Sequence, residues 1–328
     1  MGETRRFADV LLSNAILVMW PRRGRANWEC LEAESQFGTV CSSARPNGLA
    51  RVTVEYADHC DPVKLVNAIS VALSFLAGRI VYVDAYEIHG QEGVVRALLP
   101  RTRPKTEKMS FFPPLGSMPF CLVEFYEPLL ARAVDFFYEA SDNSVATYLN
   151  ACLASCDAPF SAHALIACTC LEGLAKRLAK QLGLTVAITD QQKEQVTAFL
   201  RGQNFENDLI GRFSGFMGKL NEKSGANAIS EWAATGFLGF NDADKKAWRT
   251  LRNQTAHGNL QLFGTDFDSN QEMVGSRDRV HNMINRLVLH VMGFTGRYFD
   301  YATWKPSSFP PQVEEGKLAG NGKSEEIA

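Results

Sequence analysis

The chain has 328 residues, 46% of them hydrophobic and 21% charged, the make-up of a folded globular protein and not of a disordered or fibrous one. Single hydrophobic cores stop growing at about 250–300 residues, so two domains are expected. A formal net charge of −2 excludes a protein coated throughout in positive charge, and any nucleic-acid site must be a compact local patch. The opening stretch "MGETRRFADV" lacks the apolar core of a secretion signal, and Arg6 stands where a myristoylation motif requires Ser or Thr. No stretch is apolar enough to span a bilayer, so a cytoplasmic protein without membrane contact is expected.

The first third reads as mixed α and β. "AILVMW", "GLARVTVEYA" and "GRIVYVDAYEIHG" are rich in β-branched and aromatic residues and are expected as strands, the last alternating Val81, Val83 and Ala85 against Tyr82, Asp84 and Tyr86. Between two of them, "DPVKLVNAISVALSFLAGR" offers Asp61 as a cap, Pro62 at the first helical position and Gly78 as a stop. Leu65, Ile69, Leu73 and Leu76 form one apolar face, which predicts a helix covering a sheet. Residues 101–119, "RTRPKTEKMSFFPPLGSMP", begin basic, end proline-broken and hold no period, as a boundary or connecting arm would.

Beyond that arm the pattern is helical. "LLARAVDFFYEA", "VATYLNACLAS" and "SAHALIACTCLEGLAKRLAKQLG" repeat apolar residues every three to four positions. "TDQQKEQVTAFL" carries a capping box in Thr189 and Gln192, and "DLIGRFSGFMGKL" is a further helix. "NDADKKAWRTLRNQTAHG" opens on Asn241 as a cap with acids in its first turn. A long helix is expected from about residue 277 to 298, with Leu287, Leu289, Val291 and Met292 spread over more than one face as a surface for a second copy of the chain. After Trp304 the sequence is polar and rich in Pro and Gly, and reads as a disordered tail. The expected organisation is therefore α+β: a mixed α/β N-terminal domain with its arm over 1–119, an all-α bundle over 120–304, and a tail over 305–328.

Several chemistries are not supported. The eight cysteines (Cys30, Cys41, Cys60, Cys121, Cys152, Cys156, Cys168, Cys170) include no C-x-x-C pair and are expected as reduced, mostly buried thiols. His59, His89, His163, His281 and His290 fall into no ligand pattern with nearby carboxylates, so no metal is expected. "GRFSGFMGKL" has the wrong glycine spacing for a phosphate loop, and Leu220 stands where the metal-binding Ser or Thr is needed.

"LRNQTAHGN" is different. It gathers Arg252, Asn253 and His257 just before Gly258, a natural helix stop that would leave His257 at a helix C-terminus. Asn253 and His257 share a helix face, while Arg252 lies about 140° around from His257. A purely structural reading, with Arg252 paired to an acid and His257 closing the helix, accounts for the motif taken alone. Upstream, however, "LEGL" sets Glu172 in an apolar helix, where a carboxylate is costly unless paired. Arg252 is an available partner.

An all-α bundle with an acid in an early "LEGL" helix and "RNQTAH" closing a later one resembles the HEPN superfamily, over about residues 128–300. The mixed region before it, including "NAISVALSFLAGR", resembles more weakly the ApeA-type branch of prokaryotic defence proteins. The resemblance implies a metal-independent endoribonuclease with Arg252, His257 and Asn253 as catalytic residues, Glu172 as their support, no cofactor, RNA as substrate, a homodimer, and a phage-derived trigger. The variant with a tyrosine two residues after the histidine is not matched, since Asn259 stands there. A binding module holding RNA or a nucleotide without cutting it is the alternative, because binding and cleavage call on the same Arg and His. The basic "RTRPK" arm and the N-terminal domain would sense the trigger or bind RNA.

Overall fold

The computed structural model describes residues 6–13, 31–44, 49–90, 93–99, 112–116, 123–184, 190–203, 205–212, 223–256 and 267–311. It is a mixed α+β fold. The N-terminal half is a six-stranded antiparallel sheet of β1 (Phe7–Ser13), β2 (Leu31–Ser35), β3 (Gly38–Ala44), β4 (Leu49–Tyr56), β5 (Tyr82–Gly90) and β6 (Gly93–Leu98), in the order β2-β3-β4-β1-β5-β6. Ala8, Val10, Leu12, Val40, Val52, Val54, Val83 and Ile88 point to one face and are buried, as period-two alternation requires. A register shift between Leu11 and Leu12 skips Asp84, so that Val83 and not the acid stands opposite Leu12.

Helix α1 (Pro62–Ala77) covers that face. Its start follows the local sequence: Asp61 accepts from the Val63 and Lys64 N–H groups at 2.9 and 3.2 Å, and Gly78 closes it in a left-handed conformation. Leu65, Ile69, Leu73 and Leu76 are all buried. Two expectations fall here differently. "GLARVTVEYA" and "GRIVYVDAYEIHG" supply β4 and β5, whereas "AILVMW" lies outside the described residues.

The helical half consists of α2 (Tyr126–Glu139), α3 (Ser144–Ala154), α4 (Phe160–Gln181), α5 (Asp190–Gly202), helical residues 207–212, α6 (Gly225–Thr235), α7 (Asp242–Ala256) and α8 (Phe267–Val291). α4 is central and packs on α3, α6, α7 and α8. α7 begins at the expected cap, with Asn241 Oδ1 accepting from the Asp244 N–H at 3.1 Å; Thr189, expected to cap α5, lies outside the described residues. The expected division after residue 119 falls between α1 and α2. These two helices pack on each other and α1 also meets α3, so one contiguous core runs through both halves.

Three expectations at the C-terminal end are corrected. The last helix starts earlier than residue 277 and stops at Val291, because Gly293, with positive φ, donates to the His290 carbonyl while Phe294 N–H reaches back to Leu289. The chain then forms a hairpin of β7 (Gly296–Asp300) and β8 (Lys305–Phe309), so residues 305–309 belong to the fold and not to a tail. Leu287, Leu289 and Met292 are buried within the chain and Val291 is partly buried against the same core, so these residues offer little surface to a second copy. Phe112–Gly116 of the connecting arm packs here too: Phe299 N–H donates to Pro114 O at 2.8 Å and the Tyr301 hydroxyl to Pro113 O at 2.9 Å. None of the described cysteines is in a disulfide. Among the described residues no helix is long and apolar enough to cross a membrane.

Candidate functional site

Glu172 sits midway along α4, and Arg252 and Asn253 lie in the last turns of α7, the two helices being in direct contact. The packing of α4 against α7 brings Arg252 Nε to 2.6 Å from Glu172 Oε1, with the two side chains 47% and 25% exposed. The same oxygen accepts the indole N–H of Trp248 at 3.2 Å. Trp248 precedes Arg252 by one helical turn and shares its face, so a single carboxylate oxygen receives two donors from one stripe of α7. The indole is buried and fixes the carboxylate, while the guanidinium above it is half open to solvent.

Two glycines permit this arrangement. A Cβ on Gly173 would fall 2.4 Å from Cζ of Tyr148, so glycine leaves room for the ring of this α3 tyrosine to lie against α4 beside Glu172. A Cβ on Gly225 would fall 2.0 Å from the Glu172 carbonyl oxygen, so the first residue of α6 rests on the Glu172 backbone. Ser224 caps α6 there, accepting from the Asn227 N–H at 3.1 Å, and Lys223 pairs with Glu231 on the same helix. Glu172 is thus clamped by neighbours on α3, α6 and α7.

Beneath the pair, one turn before Glu172, lies the buried Cys168. Burial drives its thiol well above the ordinary range and the Glu172 charge pushes it further, with Arg252 opposing. These influences favour its neutral thiol form. Asn253 is exposed beside Arg252. His257, the fourth expected site residue, lies outside the described residues, which end in this helix at Ala256. Comparison with protein-family models, curated proteins and solved structures finds no match for this chain.

The structure also joins residues that the sequence reading left separate. His163 Nε2 meets His281 Nε2 at 2.8 Å in the interior, and the Ser155 hydroxyl lies 2.7 Å from His163 Nδ1. Ser155 donates to the Cys152 carbonyl at 2.7 Å, so it accepts from His163 Nδ1–H, which leaves His163 Nε2 to accept from His281. His163 and Ser155 are close in sequence, but no spacing links either to His281. Trp248 was readable, since it stands four residues before Arg252.

Proposed function

We propose that the protein is a metal-independent endoribonuclease that cleaves RNA through the ribose 2′-OH, with Arg252, Asn253 and His257 as catalytic residues and Glu172 as the residue that positions Arg252. The reading is supported above all by the Glu172–Arg252 pair. Exposed ion pairs contribute only about 0–1 kcal/mol to stability, yet this one is set on a carboxylate fixed by an indole and two close helix contacts. Such an arrangement does little for the fold and much for the aim of the guanidinium. With Nε on Glu172, the two Nη groups keep four N–H donors, the edge of the fork that grips a phosphate bidentately.

The chemistry follows from RNA itself. A base removes the proton from the 2′-OH, the 2′-oxygen bonds to phosphorus, and the P–O5′ bond breaks as an acid protonates the departing 5′-oxygen. Arg252 stabilises the charge that gathers on the phosphoryl oxygens, Asn253 orients the phosphate or the imidazole, and His257 transfers the proton. Base and acid act on opposite sides of the phosphorus, so two chains, each bringing one histidine, would complete the site. A surface for that pairing is available on α5 and the residues after it, where Val196, Phe199, Phe205 and Leu209 are exposed. The resemblance to prokaryotic defence proteins sets this activity in a response to phage.

The test is cleavage of single-stranded RNA by the purified protein in EDTA. Products ending in 2′,3′-cyclic phosphate and 5′-OH, no cleavage of DNA, and loss of activity in His257→Ala are expected. RNA binding without cleavage at any protein concentration would instead identify a non-catalytic binding module.

A further inference from the structure

A cleft of about 310 Å³ opens between α7, α8 and the turn that joins β7 to β8, a volume at the small end of the range in which compact ligands are held, about 300–1,000 Å³. Lys246 and Thr250 line it from α7, Glu272, Gly275 and Ser276 from α8, and Tyr301 and Trp304 from the turn. We propose that this cleft is a base-binding subsite for single-stranded RNA. It rests on the ribonuclease reading for its place in a reaction, but its own evidence and its test are separate.

Three observations carry the assignment. The first is Trp304. It is 56% exposed, although it is the largest kind of apolar side chain, and its backbone is left-handed at φ 56, a conformation that strains any residue but glycine. Tyr301, Phe112 and Phe299 meet its ring edge to face, with centroids 5.6, 5.9 and 6.2 Å away. The turn thus holds a supported indole at the wall of the cleft instead of folding it inward, and an indole is a stacking platform for a base.

The second observation is charge. Arg279 on the lining bonds Asp244 at 2.9 Å, and Asp278 is paired with Arg277 at 2.8 Å. Lys246 and Glu272 face each other from α7 and α8 at 3.8 Å. The lining is therefore neutral in sum and fits an uncharged, planar, polar group better than a phosphate. The Thr250 and Ser276 hydroxyls can serve its edge as donors or acceptors.

The third is Gly275. It lies inside the 25-residue helix α8, where glycine is the poorest helix former after proline. Nothing stands within 4 Å of the place a Cβ would occupy. No neighbour requires a glycine there. Its effect is to keep the cleft wall open and the backbone approachable.

The cleft adjoins the proposed reaction site, because Thr250 on its wall and Asn253 are three residues apart and are neighbours on the surface of α7. A base seated against Trp304 and Thr250 would lead the chain of phosphates along α7 toward Arg252.

The probe is a fluorescein-labelled, fully 2′-O-methylated single-stranded RNA of about eight nucleotides, a length within reach of one site, which binds but offers no 2′-OH to attack. Affinity is read by fluorescence anisotropy on the full chain, with circular dichroism melting as the check on folding. Trp304→Ala is expected to weaken binding about 5- to 150-fold, the range for a lost base stack, and Trp304→Phe to weaken it less. Gly275→Phe fills the cleft from the opposite wall and is expected to weaken binding by a similar factor while melting no lower than the unaltered protein. Unaltered affinity in folded Trp304→Ala or Gly275→Phe overturns the subsite, as does failure of the unaltered protein to bind the probe. Binding that depends on Trp304 and Gly275, without cleavage of ordinary RNA, retains the subsite and removes the ribonuclease reading. Cleavage of ordinary RNA with binding indifferent to both substitutions does the reverse.

Discussion

Glu172 accepts from an arginine and an indole on one oxygen, and the two donors do different work. Trp248 is buried and ties the carboxylate to α7; Arg252 stays half exposed and is available to a ligand. Glu172→Gln keeps an acceptor for the indole but loses the charge that holds Arg252. RNA cleavage is expected to fall by on the order of tenfold, while stability in urea changes by less than about 1 kcal/mol, since the pair is partly solvated. Unchanged cleavage would reduce the pair to a link between helices. Arg252→Lys should cost on the order of 100-fold in cleavage, because an ammonium cannot reproduce the planar fork. The buried histidines make a separate prediction. Burial, with Arg277 adding to it, lowers His163 to about 4, and burial also holds His281 well below the ordinary value. Both are neutral in the fold, as their shared hydrogen bond requires. In the unfolded chain they take up protons near pH 6.5, so the stability they contribute is complete above that pH and is lost as pH falls from about 6.5 toward about 4. For His163 alone the loss reaches roughly 3 kcal/mol. Urea unfolding at pH 7 and pH 5 should show the decline, and His163→Gln should flatten it.

Between elements, the contact of α6 with α4 is the one most exposed to a small change. Gly225→Ala would place a methyl 2.0 Å from the Glu172 carbonyl oxygen, a backbone atom that cannot turn aside. α6 must shift, at about 1–3 kcal/mol, and the carboxylate beneath it moves with the backbone. Reduced stability and reduced cleavage are expected together, where Glu172→Gln separates them. The joint of α7, α8 and β7 depends on charge. Arg286, buried, donates from Nε to the Tyr298 hydroxyl at 2.8 Å and from its Nη atoms toward Asp244 at 3.4 Å and Asp300 at 3.2 Å, with Gly239 O at 3.0 Å. Asp244→Ala leaves that guanidinium short of a carboxylate in the interior and should destabilise by about 3–5 kcal/mol, measured by denaturant midpoint.

For the whole molecule, the buried faces of α8 leave the second-copy surface to be found elsewhere. Phe199, in α5, is exposed, with Val196 beside it on the same helix. Phe199→Asp is expected to yield monomers by light scattering, to leave the melting transition of the chain near that of the unaltered protein, and to abolish RNA cleavage. A fully active monomer would refute the composite site. Mixing His257→Ala chains with unaltered ones should lower the activity per unaltered chain after subunit exchange, because mixed dimers hold one histidine.

What could be read in advance was local. Asp61, Pro62 and Gly78 define α1, and Asn241 starts α7, because caps and left-handed stops act within one turn of chain. The Glu172–Arg252 contact was also legible, since a carboxylate in an apolar stretch needs a partner and few were on offer. The end of α8 was misread although Gly293 and Gly296 mark it, because Tyr298 and Phe299 continue the apolar spacing of the helix. Other features have no local signal. β1 becomes a central strand through pairing with β4 and β5, not through its own composition. The meeting of His163 with His281, the rest of α6 on Glu172, and the cleft walled by Gly275 and Trp304 exist only once α4, α6, α7, α8 and the terminal hairpin are packed. The sequence determined where α1 and α7 begin and which charged residue needed a partner, because those depend on neighbours along the chain, whereas α6, over Gly225–Thr235, was not among the expected helices. The tertiary structure decided which surfaces are left open, because that depends on what each helix has already covered.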